Sequence, residues 1–197
     1  MPRLIDRWRR GREASRSMAE MERLVELAEA GEPAAAARAV AGVEALRDSD
    51  PNVAASVDPA QLDLIEARAL FITGRAGEAL APAHRAAVAR PYDVDSRVTH
   101  GLVCLALDRL DEAEHEFESV LEEFGGDPDA EDGRRAVRLA RGRVPLDEHA
   151  LPQDVDTAAA LLVRCWRRAQ AVDVRLAALR GSSAEGAAIA ALERAVV

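Results

Sequence analysis

The apolar residues of this 197-residue chain recur every three or four positions over long stretches, which is the spacing of amphipathic helices. The most continuous apolar stripe runs from residue 157 to about 179 and contains Leu161, Leu162, Cys165, Trp166, Ala169, Val172, Leu176 and Leu179. Aromatic residues make up only 3% of the chain and alanine supplies much of the apolar content, which favours closely packed helices over a sheet. The pattern predicts an all-α protein.

The pattern also repeats with a period of 34 residues. Shifting residues 60–93 by 34 positions superposes Ala67 on Gly101, Leu70 on Cys104, Gly74 on Asp108, Glu78 on Glu112, Ala79 on Ala113 and Ala83 on Phe117. Small residues at such positions allow two antiparallel helices to cross closely, and Gly74 and Asp108 mark the turn between them. Each unit is therefore predicted to be a helix pair.

Proline and aspartate mark the limits of these units. Pro91 ends the second helix of residues 60–93, and Asp93, Asp95 and Ser96 offer N-cap oxygens to the next helix. Placing Gly31 on Gly74 gives an earlier unit at residues 17–50, packed through Leu24, Leu27, Val40 and Val43. Two prolines predict a loop at 51–59, and Gly142 predicts a partial fourth unit at 129–145.

These features together resemble the tetratricopeptide repeat family, whose units have a small residue in the first helix, Gly or Asp at the turn, Glu-Ala next and Pro at the end. Residues 94–127 match through Gly101, Leu110, Glu112, Ala113, Phe117 and Val120. Residues 60–93 match through Ala67, Leu70, Gly74, Glu78, Ala79, Ala86 and Pro91. Asp63 and Glu66 depart from the family pattern, which has apolar residues there. The resemblance implies a short α-solenoid of antiparallel helix pairs with C-terminal capping helices.

Three regions follow from this organisation: an Arg-rich extension at 1–16, a repeat domain at 17–145 and a helical extension at 146–197. The segment Pro2 to Arg16 carries six arginines around Leu4, Ile5 and Trp8. It is either a short helix that docks on an acidic partner or a membrane surface, a solvated extension, or one extra helix on the first repeat. In 146–197, irregular chain leads to an Asp156 cap, the helix from Thr157 to about Leu179 and a last short helix.

Family members bind peptides or helices on a concave surface made by the first helices of successive units. The corresponding residues here are Met21, Val25, Leu64, Arg68, Phe71, Ile72, Val98, Leu102 and Leu105. This surface is mostly apolar, and Arg68 alone fits the charged clamp with which some family members hold a C-terminal carboxylate. An apolar or amphipathic helix of another protein is the predicted occupant. The chain's own helix at 157–179 is the alternative occupant, and the sequence does not decide between them.

Net charge and residue usage exclude several other functions. A formal charge of −9 opposes attraction to phosphate backbones, so we expect no nucleic-acid partner. No run of about 18 apolar residues and no cleavable signal occurs, so we expect a cytoplasmic protein without a membrane span. Cys104 and Cys165 lack metal or redox spacing and are predicted to be buried reduced thiols.

No catalytic signature accompanies the repeats. The histidines His84, His100, His115 and His149 lack metal-ligand spacing, although His115 has Glu112 and Glu116 as neighbours on a predicted helix. We therefore predict no enzyme activity, no cofactor and no metal, and a protein-interaction module instead. A sensor that binds a small ligand between the repeats and the C-terminal helix is the alternative. An unfinished solenoid exposes a terminal face, which also allows homodimerisation.

Overall fold

The computed structural model describes residues 2–30, 32–49, 51–142, 157–158, 160 and 163–164, and all secondary structure in these residues is helical. The helices are α1 (Pro2–Glu29), α2 (Pro33–Arg47), α3 (Pro51–Ala54), α4 (Pro59–Ile72), α5 (Ala76–Ala89), α6 (Val94–Ala106), α7 (Leu110–Phe124) and α8 (Pro128–Ala140). Successive long helices pack on one another in chain order. The predicted all-α, solenoid-like stack of helix pairs is confirmed. The predicted capping helices lie largely outside the described residues.

The 34-residue period sets the turns that follow α4, α6 and α8. Gly74, Asp108 and Gly142 occupy these turns with positive φ angles of 75°, 63° and 66°. Glycine adopts this left-handed conformation at no steric cost, and aspartate tolerates it better than most residues. The turns predicted at Gly74 and Asp108 are therefore confirmed, and the same register extends to Gly142.

Aspartate side chains start three of the helices. Asp93, one of the three residues offered as caps by the sequence, accepts the backbone N–H of Ser96 at 3.1 Å. Asp58 and Asp127 cap α4 and α8 in the same way, and each of these two is followed by a proline in the first turn. Proline needs no hydrogen-bond acceptor there, so the pair is a strong helix start.

Two boundaries differ from the sequence prediction. The Arg-rich segment is not separate from the first repeat, because α1 runs as one 28-residue helix from Pro2 to Glu29. The predicted loop at 51–59 contains the single helical turn α3, and α4 begins at Pro59, the last residue of that predicted loop. Pro51 and Pro59 explain this boundary, because each is the first residue of its helix. Proline interrupts a preceding helix but is compatible with the first position of a new one.

A phenylalanine wedge holds α6, α7 and α8 together. Phe117 of α7 is fully buried, and a Cβ added to Gly101 of α6 or to Gly133 of α8 would lie 2.7 Å or 2.5 Å from its ring. Nonbonded carbon atoms essentially never approach so closely, so only glycine leaves room for this ring at both positions. Three helices therefore meet around one aromatic side chain.

An ion-pair cluster joins α2, α4 and α5. Buried Asp63 of α4 accepts from Arg47 Nη2 at 2.6 Å, and from Arg85 Nε and Nη2 at 2.9 and 2.7 Å. Arg47 also donates to Glu66, one turn further along α4, at 2.7 Å. Asp63 and Glu66 are the two departures from the family pattern, and both serve to bind neighbouring helices through charge-assisted hydrogen bonds.

The described residues of the predicted 157–179 helix pack near the ends of α6 and α8. Thr157 and Ala160 are buried, and Arg164 donates to Asp108 at 2.7 Å and to the carbonyl of Ala140 at 3.2 Å. All five residues described in this segment are helical. The rest of the predicted helix lies outside the described residues, as does Cys165.

Candidate partner-binding surfaces

The nine residues predicted to line a groove lie on α1, α4 and α6, and the structure buries most of them. Less than a tenth of the surface of each of Met21, Val25, Leu64, Phe71, Val98, Leu102 and Leu105 is exposed. Ile72 is half-buried and packs against the same core. Because α4 packs between α1 and α6, these side chains belong to the interior of the stack. Within the described part of the chain these side chains therefore do not line an open apolar groove, and most of the chain's own 157–179 helix, the alternative occupant, lies outside the described residues.

What remains of the predicted groove is a crevice of about 20 Å³ between α1, α4 and α6. Its lining includes Arg68, Phe71, Ile72 and Leu102. Arg68 donates from Nε to Glu29 of α1 at 3.0 Å across this crevice. A space of this size holds about one water molecule, so a helix binds here only if the Arg68–Glu29 contact opens.

A larger groove lies between α5 and α7, on a face that the sequence prediction did not select. It encloses about 330 Å³ and is lined by His84, Ala87, Val88, Pro91, Tyr92, Arg97, His115, Glu116 and Glu123. We call it the α5–α7 groove. Val88 and Tyr92 on its rim are 66% and 75% exposed. No sequence pattern separates these two residues from core positions, since Val88 falls on an otherwise regular helix and Tyr92 follows its end.

The floor of the α5–α7 groove is a chain of polar contacts. Arg97 of α6 reaches α7 at Glu116, 3.3 Å away, and at Glu123, 3.0 Å away. Glu116 also contacts His100 Nδ1 at 3.0 Å. Burial raises the pKa of the Glu116 carboxyl, but the hydrogen bonds and charges of His100 and Arg97 outweigh it, so the pKa lies below its ordinary value. The floor is therefore charged and fixed in position.

Behind this floor, Cys104, His100 and Glu116 contact one another in the order of the nucleophile, base and acid of a catalytic triad. His100 Nε2 lies 3.5 Å from Cys104 Sγ, and the His84 ring lies 5.1 Å from the His100 ring at an angle of 56° to it. Burial raises the pKa of the Cys104 thiol to about 12, and the side chain is fully covered. A reactive cysteine needs a thiolate and access to substrate, and Cys104 has neither. The prediction of a buried reduced thiol is confirmed for Cys104.

The histidines of the described chain do not assemble a metal site either. His115 lines the α5–α7 groove next to Glu116, while the carboxylate of Glu112 pairs with Arg109 at 2.7 Å. Within the residues that the structure describes, no group of three or more His, Cys, Asp or Glu side chains is arranged to hold a metal ion.

A third groove lies between α1, α2 and α3. It encloses about 750 Å³, with an apolar floor and a polar rim, and is lined by Glu13, Arg16, Ser17, Glu20, Met21, Leu24, Gly42, Ala45, Leu46, Ser49 and Val53. Met21 is the one residue that this groove shares with the predicted binding face. Its floor residues Met21, Leu24, Leu46 and Val53 are buried, and Val53 belongs to α3, which sequence reasoning treated as a loop.

Comparison with known proteins identifies no relative: the chain matches no protein-family model, no curated protein and no solved structure. Among the described helices, none combines the length and the apolar character that crossing a membrane requires.

Proposed function

We propose that this chain is a protein-interaction module, an adaptor, assembly factor or scaffold, and that it binds an apolar or amphipathic segment of another protein in the α5–α7 groove. The observation that carries the proposal is the exposure of Val88 and Tyr92, 66% and 75%, beside a polar floor. Exposed apolar side chains next to a groove are typical of interfaces, and tyrosine is enriched there. The proposal includes the tetratricopeptide-like nature of residues 60–127.

The polar floor suits a binding surface better than an active site. Arg97 holds Glu116 and Glu123 in place, so the groove keeps its shape without a partner. A surface that is already ordered loses less conformational entropy on binding. The face of α1, α4 and α6, which the family resemblance implies, offers the small crevice at Arg68 within the described residues.

The test is affinity capture from an extract of the source cells with full-length protein and three variants. Val88→Asp with Tyr92→Asp places charge on the rim of the α5–α7 groove and is expected to lose the partner. Arg68→Glu reverses the charge at the crevice, and Ala37→Asp changes an exposed residue of α2 as a matched control. We expect both single variants to retain the partner. Loss with Arg68→Glu and retention with the groove variant would move the binding site to the predicted face.

A regulatory protein that binds a small ligand is the second candidate function, favoured by the groove between α1, α2 and α3. Its volume of about 750 Å³ lies within the range of small-molecule sites, and its apolar floor is typical of them. Ligand binding stabilises a protein by mass action, and above the dissociation constant the gain grows with the logarithm of ligand concentration. A thermal-shift screen of metabolites tests this function, and Gly42→Leu, which fills the groove floor next to Met21, should remove any shift that it finds.

A further inference from the structure

The charged side chains that line the α5–α7 groove leave one carboxylate without a matching cation. Among the nine described residues of the lining, Arg97 is the only arginine or lysine, and its side chain is mostly buried. It donates to Glu116 at 3.3 Å, to Glu123 at 3.0 Å and to the carbonyl of Pro91 at 3.4 Å. Two carboxylates and one guanidinium give the lining a net charge of −1 with histidine counted as neutral. The lining therefore favours a cationic group over an anionic one.

Glu123 is the carboxylate that can accept a further hydrogen bond. Its Oε2 accepts from Arg97, whereas Oε1 has no donor within the described part of the chain. The Glu123 side chain is 37% exposed. Glu116 is more buried, and its two oxygens already contact Arg97 and His100. Because a carboxylate can accept several hydrogen bonds, Glu123 keeps capacity for a donor from outside the chain.

An exposed aromatic ring adjoins this carboxylate. Arg97 Nη1 donates both to Glu123 and to the carbonyl of Pro91, so Glu123 lies beside the backbone that leads directly into Tyr92. Tyr92 is the most exposed large apolar side chain of the described residues. A guanidinium can stack on such a ring and also donate two parallel hydrogen bonds to a carboxylate, which the compact ammonium of lysine cannot do.

The size of the groove limits what enters it. A helix with its side chains is about 10–12 Å across, whereas about 330 Å³ is near the lower end of the volumes of ligand pockets. The groove therefore has room for individual side chains of a partner segment and not for the full width of a helix.

We infer that the α5–α7 groove takes an arginine of the partner segment, with its guanidinium against the Tyr92 ring and the Glu123 carboxylate and a neighbouring apolar residue of the partner against Val88. The inference rests on the docking role proposed for this groove and names the chemistry that the role requires of the partner. Arginine is enriched among the residues that dominate the binding energy of interfaces. Opposite charges across an interface also suppress wrong partners.

The test is binding of the full-length protein to sets of short immobilised peptides of varied sequence, which differ between sets only in a fixed central residue: Arg, Lys, Leu or Glu. We expect the wild type to bind the Arg set at least about fivefold more tightly than the Leu set. Glu123→Gln keeps an oxygen for Arg97 but loses the charge, and should abolish this preference. Tyr92→Leu keeps apolar surface without the ring and should reduce it. The matched control Glu122→Gln, exposed and outside the lining, should retain it.

The outcomes separate this inference from the proposed function. Equal binding of the Arg and Leu sets, a preference for Glu, a Lys set that binds as tightly as the Arg set, or an Arg preference that survives Glu123→Gln in a folded protein overturns the inference. In each of these cases, peptide binding that Val88→Asp with Tyr92→Asp removes still supports docking in the groove. If no set binds the wild type more tightly than it binds this double variant, the groove assignment fails and the inference fails with it.

Discussion

The helix pairs α4–α5 and α6–α7 use the same turn register but fill their interiors differently. In α6–α7, Phe117 lies between Gly101 and Gly133 and is fully buried. The residue 34 positions earlier is Ala83, and the pair α4–α5 instead uses the Asp63 ion-pair cluster to join its neighbours. A repeat register thus fixes where helices turn and cross, and leaves open which side chains fill the space between them.

The largest effect is expected where three helices depend on one side chain. Phe117→Ala should lower the free energy of unfolding by about 3–5 kcal/mol, because it leaves a cavity among α6, α7 and α8. Urea unfolding followed by circular dichroism measures the change. Ala83→Gly, at the equivalent position of α5, is the comparison and should cost about 1 kcal/mol. Equal losses of unfolding free energy in the two variants would show that Phe117 is no more important to α6–α7 than Ala83 is to α4–α5.

The glycines around Phe117 give the next largest effect. Gly133→Ala should destabilise the protein by about 1–3 kcal/mol, because its Cβ would lie 2.5 Å from the Phe117 ring. Gly11→Ala in α1, where the new Cβ meets no atom, should instead stabilise by about 0.5–1 kcal/mol through helix propensity. Thermal unfolding compares them. Adding Phe117→Leu should relieve part of the Gly133→Ala cost, and the absence of any relief would argue against the wedge.

Breaking the ion-pair cluster of α4–α5 should have a smaller effect. Asp63→Ala removes hydrogen bonds from Arg47 and Arg85, but the Arg85 side chain is 51% exposed and water replaces part of what is lost. We therefore expect a loss of about 1–2 kcal/mol in urea unfolding. Glu78→Ala, which removes a surface pair with Arg75, is the control and should change stability much less. A larger loss in the control would contradict the role given to Asp63.

The smallest expected effect is a dependence on pH. The pKa of Glu116 is lowered in the folded protein, so the folded state binds its proton less readily than the unfolded chain. The stability that this carboxylate contributes is present above the ordinary value of 4.5 and is lost as pH falls through the lowered pKa. Glu116→Gln should therefore lose less stability than the wild type between pH 6 and pH 3. Exposed Glu118→Gln is the control for the loss of one carboxylate from α7, and identical curves for all three proteins would exclude this contribution.

The fold followed from the sequence because turn chemistry and small-residue spacing are local signals. Gly74 and Asp108 were predicted as turns, Asp93 as a cap candidate and Ala79 and Ala113 as packing positions, and the structure agrees. Helix 51–54 was missed because a single turn is too short to show periodicity.

The candidate site was less predictable. Leu64, Leu102 and Leu105 were placed on an open face, although an apolar residue at the same helical position can equally face a neighbouring helix. The pairing of Asp63 with Arg47 and Arg85 links residues 16 and 22 positions apart, and no local rule connects them. The exposure of Val88 and Tyr92 depends on how α5 and α7 separate, which only the three-dimensional packing determines.

Photo-crosslinking in the source cells tests the central claim most directly. A photoreactive phenylalanine analogue is placed in turn at Tyr92 on the α5–α7 groove, at Arg68 on the face predicted from the sequence, and at exposed Ala37 as background. We predict that position 92 yields a crosslinked protein adduct that Val88→Asp abolishes, whereas positions 68 and 37 yield none. An adduct from position 68 and none from position 92 would contradict the claim that partners bind in the α5–α7 groove.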